Sequence, residues 1–159
     1  MRRGDWFSVM RIYLVVIDES DEARVALRFA ARRAAKTGGG VEILALVPPQ
    51  EFVTWGGVQA AMEEEAREKA EALVVTAAGA LMEDAGIRPS ITVRQGDPVA
   101  VVKAVLAEQP GVAALVLGAA ASGTPGPLVA HFANEAGQMP CPVMIVPGSL
   151  TDEALDQLS

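Results

Sequence analysis

The sequence contains one cysteine, Cys141, and one histidine, His131, in 159 residues. A lone thiol excludes an intrachain disulfide and makes a reducing cytoplasm the natural setting. A lone imidazole excludes a histidine-based metal cluster, and no metal site is expected. Aromatic residues are scarce at 4%, although 51% of the chain is hydrophobic. Alanine and aliphatic side chains must therefore supply the core, which favours helices packed closely on something flat. Basic residues stop at Lys103. Residues 104–159 contain Glu108, Glu135, Asp152, Glu153 and Asp156 but neither Lys nor Arg. A phosphate bound in that third would depend on main-chain N–H groups and hydroxyls. The net charge of −7 and isoelectric point of about 4.7 argue against nucleic acid as a partner. No apolar run reaches the roughly 18–20 residues that cross a bilayer, so no membrane partner is expected. The first ten residues carry Arg2, Arg3 and Asp5 without the long apolar stretch of a secretory signal. They are taken as an arm (1–10), followed by a domain (11–148) and a tail (149–159), with Met10 an alternative start.

What is present is an alternation of two patterns. Residues 12–17, 41–47, 112–117 and 143–146 are continuous and largely β-branched apolar runs, as strands buried on both faces would be. Residues 90–94 alternate like an edge strand. Helical spacing fills the intervals. Residues 20–37 start at Ser20, an N-cap candidate followed by acids, and stop at Gly38-Gly39-Gly40. The stretch 58–85 has Met62, Ala66, Leu73, Ala77 and Leu81 on one face, and its run Glu63-Glu64-Glu65 reads as a solvated face. Asp97-Pro98 opens 98–109 and Pro127 opens 127–138. Thr151 caps a short helix over 152–158. The order β-α-β-α-β-α-β-α-β predicts one α/β domain, a doubly wound parallel sheet with right-handed crossovers and helices on both faces.

In such a sheet ligands bind at the carboxyl ends of the strands, where the winding reverses. The first strand delivers Asp18-Glu19-Ser20 to that edge, the second Val47-Pro48, and the third leads to Gly96-Asp97. The fourth ends at Gly118 and opens a small-residue loop to Pro127, in which Ser122, Gly123, Thr124 and Gly126 offer hydroxyls or close main-chain approach to an anion. Pro125 and Pro127 each remove a donor from it. Asp18 has two compatible roles, helix capping and ligand contact. Residues 48–57 are either a surface loop packing Phe52 and Trp55 or a lid over the ligand. Arg94 is the cation nearest the ligand edge by sequence, and Arg32-Arg33 are placed on the exposed side of their helix. Cys141, between prolines, reads as a small buried or interfacial residue.

Together these pieces resemble the universal stress protein family. The resemblance rests on Leu14-Val15-Val16-Ile17-Asp18-Glu19-Ser20, Gly96-Asp97-Pro98, Leu115-Val116-Leu117-Gly118 and Pro140-Cys141-Pro142-Val143-Met144-Ile145-Val146, in that order and spacing over residues 10–148. It implies a five-stranded parallel sheet in the order 3-2-1-4-5, with dimers often made through the last strand. It also implies that Asp18 meets a nucleotide and that Val47 stands where a strand-two main-chain group contacts adenine. The ATP-binding members' Gly-x2-Gly-x9-Gly-(Ser/Thr) motif is degenerate here. Counted from Gly118, its second and third glycines fall on Ala121 and His131. Counted from Gly123 through Gly126, Gly137 comes one residue late and Gln138 replaces the hydroxyl.

No catalytic constellation can be assembled. There is no Gly-x-Ser-x-Gly elbow and no Gly-x4-Gly-Lys-(Ser/Thr) loop. The acidic cluster after the first strand lacks a receiver domain's lysine, since the last strand ends in Val146-Pro147-Gly148. The expectation is a cytoplasmic stress-response regulator without strong catalysis and with weak or no ATP binding. The alternative is a member binding ATP (with Mg²⁺) or AMP with slow or no hydrolysis. The last strand, begun by Pro142, suits a sheet edge. Val143, Met144, Ile145 and Val146 are expected in a homodimer interface, with the tail 149–159 crossing near the partner.

Overall fold

The computed structural model describes residues 10–49 and 56–159, and the side chains of 56–59 are not part of that description. The elements alternate strictly: β1 (Ile12–Ile17), α1 (Asp21–Thr37), β2 (Gly40–Val47), α2 (Gly56–Ala85), β3 (Ser90–Gln95), α3 (Pro98–Glu108), β4 (Val112–Ala119), α4 (Pro127–Glu135), β5 (Val143–Pro147) and α5 (Asp152–Leu158). All strand pairs are parallel, and the sheet order is β3-β2-β1-β4-β5. This is the doubly wound α/β architecture expected from the alternation. The expected arm lies almost wholly in residues 1–9, and most of the 48–57 loop in 50–55, outside the described residues.

Three of the continuous apolar runs, β1, β2 and β4, are central with both faces covered, while the fourth, β5, lies at the sheet edge. Tyr13, Val15 and Ile17 of β1 face α1, α2 and α5, whereas Leu14 and Val16 face α3 and α4. Alanine makes the first interface thin: Ala23, Ala26, Ala30, Ala31 and Ala34 of α1 are all buried against the sheet. The helix punctuation works as the residues dictate. Ser20, Asp97 and Thr151 accept through their side chains from the main-chain N–H groups of Ala23, Ala100 and Ala154. Gly38 ends α1 in the left-handed conformation at φ 67°.

Two local expectations are revised. The helix expected over 127–138 ends at Glu135 and tightens into a 3₁₀ turn, Ala136–Gln138. Arg32 and Arg33 are not on an open face but half-buried, because α5 lies along α1. Residues 152–158 form the expected short helix capped by Thr151, and Leu155 in it is fully buried in the core beside α1.

Candidate functional site

The carboxyl end of β1 is a tight turn built around Asp18. One carboxylate oxygen of Asp18 accepts from the main-chain N–H of Ser20 at 2.8 Å and from the Ser20 hydroxyl. Ser20 in turn caps α1 at 3.2 Å through Ala23 N–H. Asp18 thus holds the residue that caps the helix, and it is also exposed toward two concavities.

The larger is a cavity of about 550 Å³ between the ends of β1 and β2 and the side of α2. Ile17, Ala45, Leu46, Pro48, Ala66, Ala70 and Leu73 give it apolar walls, while Asp18, Glu19, Ser20 and Lys69 give it a polar rim. The second, of about 130 Å³, lies where the winding reverses, between β1, β4, the start of α1 and the start of α4. It is lined by Gly118, Pro125, Gly126 and Pro127 together with the carboxylate residues Asp18 and Glu22. Among the described residues lining it there is no cation.

The structure distributes the expected site residues unevenly. Asp18 lines both spaces, and Gly118 and Gly126 line the smaller one. Ser122, Gly123 and Thr124 sit on an exposed turn outside both linings. That turn is closed by Ala120 N–H donating to Pro125 C=O at 3.2 Å. Val47 is buried, outside both linings, and its carbonyl accepts from Gly96 N–H at 3.1 Å in the ladder to β3. At the start of α4, Pro127 has no N–H, which leaves Leu128 and Val129 as the first-turn amides.

Arg94 is not available to the ligand edge. Its guanidinium makes two parallel bonds to Glu108 of α3, at 2.8 and 2.5 Å, and this pairing holds the Glu108 carboxyl below its ordinary range. The cation at the cavity is Lys69, 3.2 Å from Glu19. Lys69 follows Ala66 by three residues and precedes Leu73 by four, so the helical period alone puts it on the rim of that apolar face.

The remaining reactive groups lie elsewhere. His131 packs edge-on against Phe132 at 5.1 Å and shares Glu135 with Lys103. Burial pushes the Cys141 thiol above its ordinary range, the opposite of an activated thiolate. Among the described residues no cluster of His, Cys, Asp or Glu is arranged to hold a metal ion. No helix among them is long and apolar enough to cross a membrane.

A doubly wound parallel sheet with concavities at the strand ends beside the switch places the chain in the doubly wound α/β class. The profile of the universal stress protein family matches residues 10–147, and the chain belongs to that family. A comparison with curated proteins found no match. Among solved structures, the fold is shared with UspA from Lactobacillus plantarum, at TM-score 0.69 and 18% identity, covering 87% of this chain and 99% of that one. It is shared with the universal stress protein from Archaeoglobus fulgidus in complex with dAMP, at TM-score 0.61 and 20% identity, covering 86% and 97%. A universal stress protein in complex with cAMP aligns at TM-score 0.60 and 19% identity, covering 89% of this chain and all of that one (100%).

Proposed function

We propose that this protein is a non-catalytic cytoplasmic regulator that binds an adenine mononucleotide in preference to ATP and works as a homodimer through β5. The observation that carries the ligand reading is the contrast between the two concavities. The 550 Å³ cavity has the size and apolar walls of a small-ligand site, with Lys69 on its rim. The 130 Å³ recess under the loop after β4 presents Asp18, Glu22 and two prolines. A triphosphate tail led into it would meet two carboxylates and lose the donors that proline lacks. A single phosphate kept near Lys69 avoids the prolines and, although Asp18 and Glu19 also line that cavity, meets a cation there that the smaller recess lacks. The cAMP and dAMP complexes of other universal stress proteins are consistent with a mononucleotide.

The reading without strong catalysis rests on the chemistry of the rim, where the Asp18 carboxylate is engaged by the N–H and hydroxyl of Ser20. The dimer reading rests on the edge position of β5 and on Ile145, which is 41% exposed there. Val146 turns into its own core, so only its main chain faces that edge.

Isothermal titration with AMP and with ATP-Mg²⁺ tests the ligand reading. Saturable AMP binding with weaker ATP binding is the expected result. Tighter ATP binding would overturn the preference, and no response to either at millimolar ligand would overturn nucleotide binding.

A further inference from the structure

The family match ends at residue 147, and α5 lies beyond it. This seven-residue helix is too short to persist alone, so the surface beneath it must hold it. That surface is a row of three cations on α1, Arg28, Arg32 and Lys36, spaced four apart along one face. Each meets α5. Arg28 pairs with Asp152 at 2.9 Å and Arg32 with Asp156. Lys36 Nζ donates to the main-chain oxygens of Asp156 and Ser159 at 2.7 and 3.0 Å, at the negative end of the short helix. Between the two aspartates, Leu155 fills a socket in the core.

The surface therefore recognises an Asp-x2-Leu-Asp helix by two carboxylates, one apolar anchor and a helix C-terminus. The fit is incomplete. Buried Nη1 of Arg32 has no hydrogen-bond partner although the same guanidinium pairs with Asp156. Next to it a groove of about 450 Å³, lined by Phe29, Met144, Leu150 and Leu158, continues past α5 toward β5. A longer acidic helix would cover more of this groove and fill more of the donors than α5 does.

We propose that the Arg28–Arg32–Lys36 face of α1 is a docking surface for an acidic amphipathic helix of a protein partner, and that α5 is a releasable occupant holding it closed. Release exposes Arg32, Lys36 and the Leu155 socket together and leaves Arg28 paired with Asp84 of α2 alone, so the same event creates the charge and the apolar contact a partner needs. Screening by salt weakens the ion pairs and favours release. The proposal is independent of the nucleotide reading.

The test uses the full chain and a fluorescent peptide of residues 149–159. In wild type, tethered α5 competes at high effective concentration and the peptide binds poorly. Charge reversal of the clasp, Asp152→Lys with Asp156→Lys, is expected to raise peptide affinity by about tenfold or more, because the competent state is populated. Adding Arg32→Glu should abolish the gain. A peptide of the same composition with its leucines moved off the anchor position should not bind. Equal binding of both peptides, or none to the opened variant, overturns the proposal. So does an opened variant that sediments as a larger oligomer and takes up no peptide, since the face would then serve exchange between copies. Native-state hydrogen exchange on the wild type keeps the test valid should the double variant fail to fold. The α5 amides should open well before those of β1 and β4, and faster in high salt. Opening only with global unfolding overturns a releasable clasp.

Discussion

Gly118 of β4 stands directly against the main-chain carbonyl of Glu22 in the first turn of α1. A Cβ at residue 118 would overlap that oxygen and lie 2.5 Å from its carbonyl carbon. The glycine that opens the loop after β4 is thus required for helix-to-strand contact, whatever the loop binds. We expect Gly118→Ala to destabilise the domain by about 1–3 kcal/mol or more, the cost of overpacking against an unyielding main chain. Gly79, in the exposed interior of α2, has nothing within 4 Å of such a Cβ. There Ala should stabilise by roughly 0.5–1 kcal/mol. Urea denaturation of the two variants checks both signs.

Lys69→Ala should separate phosphate from base. The cavity's apolar walls are unchanged in this variant, so adenosine affinity should stay within about twofold, whereas AMP affinity should fall by about 3–10-fold, the loss of one partly exposed charge contact. Calorimetric titration with both ligands reads the difference. Equal losses would place Lys69 in the fold of the site and not at a phosphate.

Ile145→Lys should weaken self-association by at least about tenfold, because it puts a charge on the exposed apolar edge of β5. The side chain is 41% exposed in the monomer, so the fold should tolerate the change. Sedimentation across a concentration series is the measurement. An unchanged dimer in a folded variant would remove β5 from the interface.

The Arg94–Glu108 pair predicts an acid limb of stability. The Glu108 carboxyl is held below its ordinary range chiefly by its hydrogen bonds to Arg94. A depressed folded-state value means stability that is present above the ordinary carboxylate range and lost as pH falls through the folded value. Glu108→Gln should therefore be less stable than wild type near neutrality, and the two should converge in acid. High salt should shrink the gap, since Glu108 is solvent-exposed. Denaturant midpoints from pH 3 to 7 follow it.

Much of the fold could be read directly from residue order. Runs such as Leu14–Ile17 and Leu115–Leu117 carry their burial on both faces in their own composition. Ser20, Asp97 and Thr151 announce helix starts through groups only three residues away. Part of the cavity lining was equally legible: Asp18 and Gly118 fall at strand ends in the chain, and Gly126 falls at the start of the next helix. Ser122, Gly123 and Thr124 were not legible, because a loop's direction depends on closures such as Ala120 to Pro125, which spacing does not encode. Arg94 and Lys69 exchanged importance for the same reason. Guanidinium partners are chosen across space, and Glu108 reaches Arg94 from the far end of the next helix.

The sequence by itself determined the class of fold, the helix boundaries set by capping side chains, and the family, since all of these rest on periods and neighbours within a few residues. Tertiary structure alone decided that Arg94 turns from the ligand edge to Glu108, what Gly118 is for, and that residues 152–158 turn back onto α1. Those outcomes depend on ion pairs, close main-chain approach and a buried leucine contributed by elements distant in the chain. Such contacts exist only once the sheet has brought them together.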